Sequence, residues 1–240
     1  QEIVEDLFCQ IYKASSSVGV SVIGGHTEVT HGLDRTIISG HLIGEVSKNA
    51  LVTTSDAQVG DTVLVTKALG VEGTAIIASE LADTLREKEF QEDFITRAQN
   101  FLYEPGISIY TDALTAADTG LVHSMTDATE GGLTTALHEM AQAAEVGLFI
   151  EAEKVPILPE TEHLCDEFGL NPFGLISSGM MIMTAASDNV EKLIEIMYEA
   201  GVKCTAIGMV TDPAAGLRIL MKDEIVDLPY FAADELTKIY

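Results

Sequence analysis

The stretch SMTDATEGGL, Ser124 to Leu133, runs directly into TTALHEMAQAAEVG, residues 134–147. Before it, GLVH (residues 120–123) starts a short strand. After it, Leu133, Leu137, Met140 and Ala144 recur at helical spacing. Two acids, a hydroxyl and a glycine pair therefore sit where a strand feeds a helix. Asp127 and Glu130 lie three apart, a spacing that lets both face one side of the turn. The Thr129 hydroxyl can cap the helix or reach a phosphate. Gly131 and Gly132 remove side chains where a helix N-terminus exposes unpaired N–H groups, which attract anions. Carboxylates repel a phosphate unless a divalent cation lies between them, so the combination points to a Mg-nucleotide more than to a bare phosphate. An ordinary Asp or Thr N-cap, with glycines for close packing, is the competing local reading, and the residues alone leave both open.

A second turn of the same kind is VIGGHTEVTHG, Val22 to Gly32, again after an apolar strand. Gly24 and Gly25 open it, and His26, Thr27 and Glu28 supply polar groups at once. His26 and His31 have metal-ligating side chains, but two His five apart in a loop are a weak signal. A third place is GLNPFGLISSGMMIM, residues 169–183, where a loop ends in Ser177, Ser178 and Gly179 before a buried strand. It also suits a plain connection with Ser and Gly chosen for turn geometry. No GxxxxGK[ST] and no GxGxxG pattern occurs, which disfavours P-loop and Rossmann sites.

The chain has 240 residues, is 47% apolar, and carries a formal charge of −25 from 13 Lys and Arg against 38 Asp and Glu. That balance argues against nucleic acid or an anionic membrane as partner. The acids are scattered, as on a solvated surface. Cys9, Cys165 and Cys204 lie far apart with no CxxC spacing, which fits reduced structural thiols and a cytoplasmic setting. No apolar run reaches the length of a spanning helix.

Along the chain, a helix is expected over residues 2–16, followed by strands VGVSVIGG and RTIISGHLIGEV. Gly60 and Asp61 mark a turn, and TVLVTKALG reads as a strand. Helices VEGTAIIASELADTL and EKEFQEDFITRAQNFL follow, with another at about 107–118. Later come strand GLFIEA, a helix near 161–168, strand GMMIMTAA, helix NVEKLIEIMYEAG, strands near 204–211 and 217–221, and a terminal helix AADELTKIY. Strands and helices interleave, which gives an α/β or α+β architecture. Residues 1–59 hold one helix and two strands, too little to close a core alone, whereas residues 60–240 suffice for a domain. The first segment is expected to complete its sheet with sequence upstream of Gln1, with a second copy in a homodimer, or with both.

In this order GGHTEV, VGDTVLVTKALGVEGTAIIASE, TDATEGGLTTALHEMA, GLNPFGLISSG and AIGMVT resemble the aminoimidazole ribonucleotide synthetase-related superfamily, over nearly the whole chain. The hydrogenase expression/formation branch is the most similar, its Asp-x-Thr-x-Gly-Gly-Leu turn matching Asp127, Thr129, Gly131, Gly132 and Leu133. The resemblance implies a two-domain α+β fold with the N-terminal domain truncated here. Residues 1–59 would be the last part of a dimerising, ATP-binding domain, and residues 60–240 the C-terminal domain. It implies ATP and Mg²⁺ as cofactors and phosphorylation of an amide or carbonyl oxygen as the shared chemistry. Asp127 and Glu130 become the catalytic candidates, and Asp127 and Glu28 the metal candidates. Gly24, Gly25, His26, Thr27, Thr129, Gly131 and Gly132 become the cofactor-binding set.

The pattern also departs from that branch. The superfamily's first acidic metal motif falls upstream of Gln1, so this stretch alone is expected to turn over ATP poorly. His26 stands where several members carry an acid, and Ser178 where the hydrogenase protein has one. Lys238, Ile239 and Tyr240 stand where that protein ends in a carbamoyl-carrying Cys. A maturation partner protein is the expected associate if the chemistry is retained. A small-metabolite kinase or synthetase, with Glu130 as second acid, and a non-catalytic nucleotide-binding scaffold are the alternatives.

Overall fold

The computed structural model describes residues 2–33 and 35–240, and divides into two compact units, residues 1–46 and 47–240. In the first, α1 (Glu2–Ser17) forms where the apolar spacing predicts it. It stops where Ser15 and Ser17 turn their hydroxyls back onto the Tyr12 and Ala14 carbonyls, with Gly19 at φ 70° accepting the left-handed conformation beyond the end. The two strands expected after it are not formed: no described residue of 18–46 belongs to a strand. An alternating apolar pattern makes a strand only when a neighbour supplies the ladder, and VGVSVIGG and RTIISGHLIGEV do not pair with each other. Val29 is 97% exposed, and Leu42 and Ile43 are also exposed.

The second unit begins with a short 3-10 turn, Thr54–Asp56, that lies along the strand carrying the 124–128 stretch. Ser124 Oγ donates to the Thr54 carbonyl and Thr54 Oγ1 to that of Met125. Then come β1 (Asp61–Thr66), α2 (Val71–Glu80), α3 (Ala82–Glu87), α4 (Glu92–Gln99), α5 (Tyr110–Asp118), β2 (Val122–Ala128) and α6 (Gly132–Ala144). β3 (Gly147–Glu151), α7 (Pro159–Phe168), β4 (Met180–Ala186), α8 (Val190–Glu199), β5 (Cys204–Thr211), β6 (Leu217–Met221) and β7 (Glu224–Asp227) complete it. The strands form one sheet of order β2-β4-β1-β5-β3-β6-β7, antiparallel except for the β3–β6 pair.

The pleat sorts the apolar run of β4 between two cores. Met180 and Ile182 join α6 residues Leu133, Leu137 and Met140 on one face; Met181, Met183 and Ala185 join Leu193 and Met197 of α8 on the other. A strand covered on both faces has no polar side to show, which is why GMMIMTAA reads as continuous. A third cluster, with Ile77, Leu85, Ile95 and Leu164, ties α2, α3, α4 and α7 together beside the sheet.

Several boundaries differ from expectation. The predicted helix VEGTAIIASELADTL breaks at Leu81 (φ −108°, ψ 23°) into α2 and α3. α4 starts only at Glu92, after Glu89 at φ 65°. The terminal helix is a 3-10 turn, Glu235–Lys238, and β7 was not anticipated at all.

Candidate functional site

The SMTDATEGGL stretch is a strand, a turn and the first turn of a helix. β2 runs through Ala128, so Asp127 lies in the strand, opposite Met181, and not in the turn itself. Its side chain is exposed, as is that of Glu130. Neither carboxylate makes a hydrogen bond or ion pair among the described residues. The N-cap position of α6 is Gly131, at φ 76°, and no local side chain caps it. The ordinary Asp or Thr cap is thus not made: the Thr129 carbonyl, not its hydroxyl, is the group engaged, accepting from Gly132 N–H at 3.0 Å and from Ser177 N–H at 3.3 Å. The Gly131 N–H donates at 2.7 Å to a carboxylate 103 residues away, that of Asp234.

The glycines are required by backbone shape and by proximity. Both have positive φ, and a Cβ on Gly132 would stand 2.6 Å from the Leu175 carbonyl oxygen and 2.7 Å from that of Phe173. This close approach binds the α6 turn to the loop 171–179, the third place singled out in the sequence. Ser177, fully buried, joins a third turn: its Oγ donates to the Leu175 carbonyl at 2.7 Å and accepts the Gly70 N–H at 3.0 Å, while Gly73 N–H donates to the Ile176 carbonyl. The turns after β1, after β2 and before β4 therefore meet at one end of the sheet.

Lys67 braces the same end. At φ 55° it terminates β1, and its ammonium donates to the carbonyls of Ser108 (2.5 Å) and Gly179 (3.2 Å) and pairs with Asp112 at 3.2 Å. Asp112 Oδ1 is buried with no hydrogen-bond partner among the described residues. Burial, with the Asp112 charge adding to it, pushes the nearby Cys204 thiol up to about 12.

In the first unit, the turn holding Gly24, Gly25, His26, Thr27 and Glu28 is exposed. It brings His26 Nε2 within 3.8 Å of Glu28 Oε2, and a Cβ on either glycine would meet nothing within 4 Å. That turn is open backbone flanked by a base and an acid. Among the described residues no three His, Cys, Asp or Glu side chains gather as a metal cage. The donor set of the α6 turn nonetheless fits one wall of a Mg-nucleotide site: exposed unpaired carboxylates beside a helix N-terminus that already holds an anionic oxygen.

Residues 58–219 match the profile of the AIR synthase related protein, C-terminal domain. The chain belongs to the AIR synthase-related family. Among its relatives, the provisionally named hydrogenase expression/formation protein of Methanocaldococcus jannaschii is 30% identical over 234 residues, covering 95% of this chain and 66% of that one. Two solved structures share the fold. Escherichia coli HypE, a hydrogenase maturation protein, superposes with TM-score 0.61 at 21% identity over 79% of this chain and 55% of its own. A HypE determined in complex with ATP superposes with TM-score 0.58 at 17% identity, over 80% of this chain and 57% of its own. The chain thus spans somewhat more than half the length of these AIR synthase-related structures. No helix among the described residues is long and apolar enough to cross a membrane.

Lys67, Asp112, Ser177 and Asp234 were not among the expected site residues. Lys67 had a local signal, a cation directly after an apolar strand. Asp234 had none, because its partner is remote in sequence.

Proposed function

We propose that this AIR synthase-related chain carries one wall of a Mg-ATP site and serves ATP-dependent activation of an amide or carbonyl oxygen, by phosphorylation and loss of the phosphorylated oxygen, as a hydrogenase expression/formation-like protein. The observation that carries the reading is the β2–α6 turn: a helix N-terminus without a local cap, flanked by the carboxylates of Asp127 and Glu130, which have no partner among the described residues. The HypE solved with ATP supports a nucleotide as ligand of this fold.

When bound, Mg-ATP supplies the phosphoryl group and the charge that carboxylates need in order to share a site with it. This chain's part is to place ligands. Asp127, held by the β2–β4 ladder, is the Mg²⁺ candidate, and Glu130 is the second acid, exposed at the mouth of the turn. Thr129 and the Gly131 and Gly132 amides are the phosphate contacts. Gly24, Gly25, His26 and Thr27 are assigned to the nucleotide, and Glu28 to the metal, within a homodimer built through the first segment and aided by a maturation partner protein. Fixed dipoles aimed at transferring phosphate are the main source of rate in such chemistry.

The test is calorimetric titration of the chain with ATP, with and without Mg²⁺. Binding that requires Mg²⁺ and weakens on the order of 10-fold or more on Asp127→Asn supports the reading. A carbamoylated protein or amide consumed with ATP would select the hydrogenase-like branch, and turnover of a free small metabolite would select the kinase alternative.

A further inference from the structure

From the contacts of the segment after β7 we infer that residues 228–239 form an autoinhibitory strap, whose Asp234 carboxylate occupies the position a nucleotide phosphate would take on α6. This rests on the nucleotide reading above and adds its regulation. Four of its contacts reach α6, the turn before it and the loop 171–179. His138 Nε2, on α6, lies 3.1 Å from the Pro229 carbonyl oxygen and 3.3 Å from that of Leu228, and its ring meets Tyr230 edge-on at 5.6 Å. Phe231 covers Gly174 so closely that a Cβ there would stand 2.6 Å from the ring. Asp234 Oδ2 accepts the Gly131 N–H at 2.7 Å while Oδ1 caps its own 3-10 turn at Leu236 N–H, 2.8 Å. Glu235, buried, accepts the Asn171 N–H at 2.8 Å and the Lys238 ammonium at 2.6 Å.

Two successive acids of the strap thus take backbone N–H groups from the α6 turn and from the loop 171–179 packed against it. A carboxylate on a helix N-terminus is a charge-assisted contact of the kind a phosphate oxygen makes. Both cannot hold the Gly131 N–H at once. The α6 turn also holds a polar atom the strap does not satisfy: Thr135 Oγ1, beside Gly131, is buried with no hydrogen-bond partner among the described residues. Ala232 and Ala233, both exposed, separate Asp234 from the Phe231 anchor. Asp234 can therefore lift away while Phe231 stays seated, drawing the neighbouring Glu235 off the Asn171 N–H, which gives a closed state with both acids seated and an open state with the Gly131 amide free for phosphate. Nucleotide affinity is then lowered by the fraction of molecules that are closed.

The test compares Mg-ATP binding to the unaltered chain, Asp234→Asn and Asp234→Ala by calorimetry, with inorganic tripolyphosphate as a second probe. It adds hydrogen exchange of residues 229–238 in the unaltered chain with and without saturating Mg-ATP. The inference expects Asp234→Ala to bind Mg-ATP more tightly, on the order of 10-fold, Asp234→Asn to fall between, and strap amides to exchange faster in the presence of Mg-ATP. Equal or weaker binding by Asp234→Ala overturns it and leaves the nucleotide reading standing. If that variant does not fold, the exchange measurement decides alone: strap protection unchanged or increased by Mg-ATP overturns it. Absence of Mg-ATP binding by every folded protein overturns the nucleotide reading, and this inference with it.

Discussion

Lys67 and Asp112 form an ion pair at 3.2 Å in which 11% and 2% of the two side chains are exposed. The pair closes the space between the end of β1 and the start of α5, and the lysine's other two donor contacts fix the 106–109 and 177–179 loops. Removing one member of a buried pair leaves the other charge without compensation, at a cost of about 3–5 kcal/mol. Lys67→Met, which keeps the aliphatic volume, is therefore expected to lower unfolding stability by about that amount in urea titrations. Lys67→Met with Asp112→Asn should cost clearly less than the sum of the single changes, because no orphaned charge remains.

The glycine pair of the α6 turn makes a separate prediction. Gly132→Ala must accept φ near +65° and a collision with two carbonyl oxygens that belong to backbone and cannot rotate away. Gly120→Ala faces a similar φ, +63°, but open space. Thermal unfolding should show a loss of about 1 kcal/mol for Gly120→Ala and at least about 3 kcal/mol for Gly132→Ala. Equal losses would mean that the close approach to residues 173–175 contributes nothing.

Thiol chemistry checks the packing of the second unit. Burial raises the Cys165 thiol to about 12, with the Asp166 and Glu235 charges adding to it, and burial with Asp112 does the same for Cys204. In the native protein only the exposed Cys9 should react quickly with a thiol reagent near pH 8, with the other two reacting on unfolding. A thiol whose folded value is raised above its ordinary 9.0 loses its proton first in the unfolded chain. Its contribution to stability is complete below pH 9 and is lost as the pH climbs toward 12. Denaturant midpoints should accordingly fall across that window, and less steeply in Cys165→Ala/Cys204→Ala.

Which parts of this structure could be read from the sequence depended on where each partner lies. Leu133, Leu137 and Met140 announce α6 because their helical spacing and their burial share one cause, and the turn before it carried its own glycine signal. β7 escaped notice because its four residues are all exposed and show no apolar face. Residues 18–46 show the opposite case: Val20, Val22, Ile37 and Ile43 carry the composition of strands, yet composition cannot supply a hydrogen-bonding neighbour. The Asp234 contact was invisible for a related reason. A single acid within AADELTKIY does not name its partner, and its meaning comes only from the Gly131 amide.

Those uncovered apolar residues predict association. Val22, Leu42 and Ile43 are exposed on segments with strand composition, an arrangement that invites pairing with another chain. Sedimentation at micromolar concentration should show a dimer, and Leu42→Asp with Ile43→Asp should shift it to monomer while the melting temperature of the 47–240 unit stays within a few degrees. A monomer for the unaltered chain would contradict the proposed homodimer.

As proposed, Asp127 serves a Mg-nucleotide and not the fold, and Asp127→Asn separates the two roles. Asn keeps the size of the side chain, and Asp127 is exposed, with no partner among the described residues that the substitution would remove. Stability should therefore change by less than about 0.5 kcal/mol. A carboxylate that ligates Mg²⁺ loses its charge, and Mg-ATP affinity should fall on the order of 10-fold or more, about 1.4 kcal/mol, while any binding of ATP without Mg²⁺ holds or improves. Calorimetric titration of both proteins, with and without Mg²⁺ and beside their melting temperatures, is the measurement. A Mg-dependent loss at unchanged stability is expected; equal Mg-ATP affinity in the two proteins would remove Asp127 as a Mg²⁺ ligand.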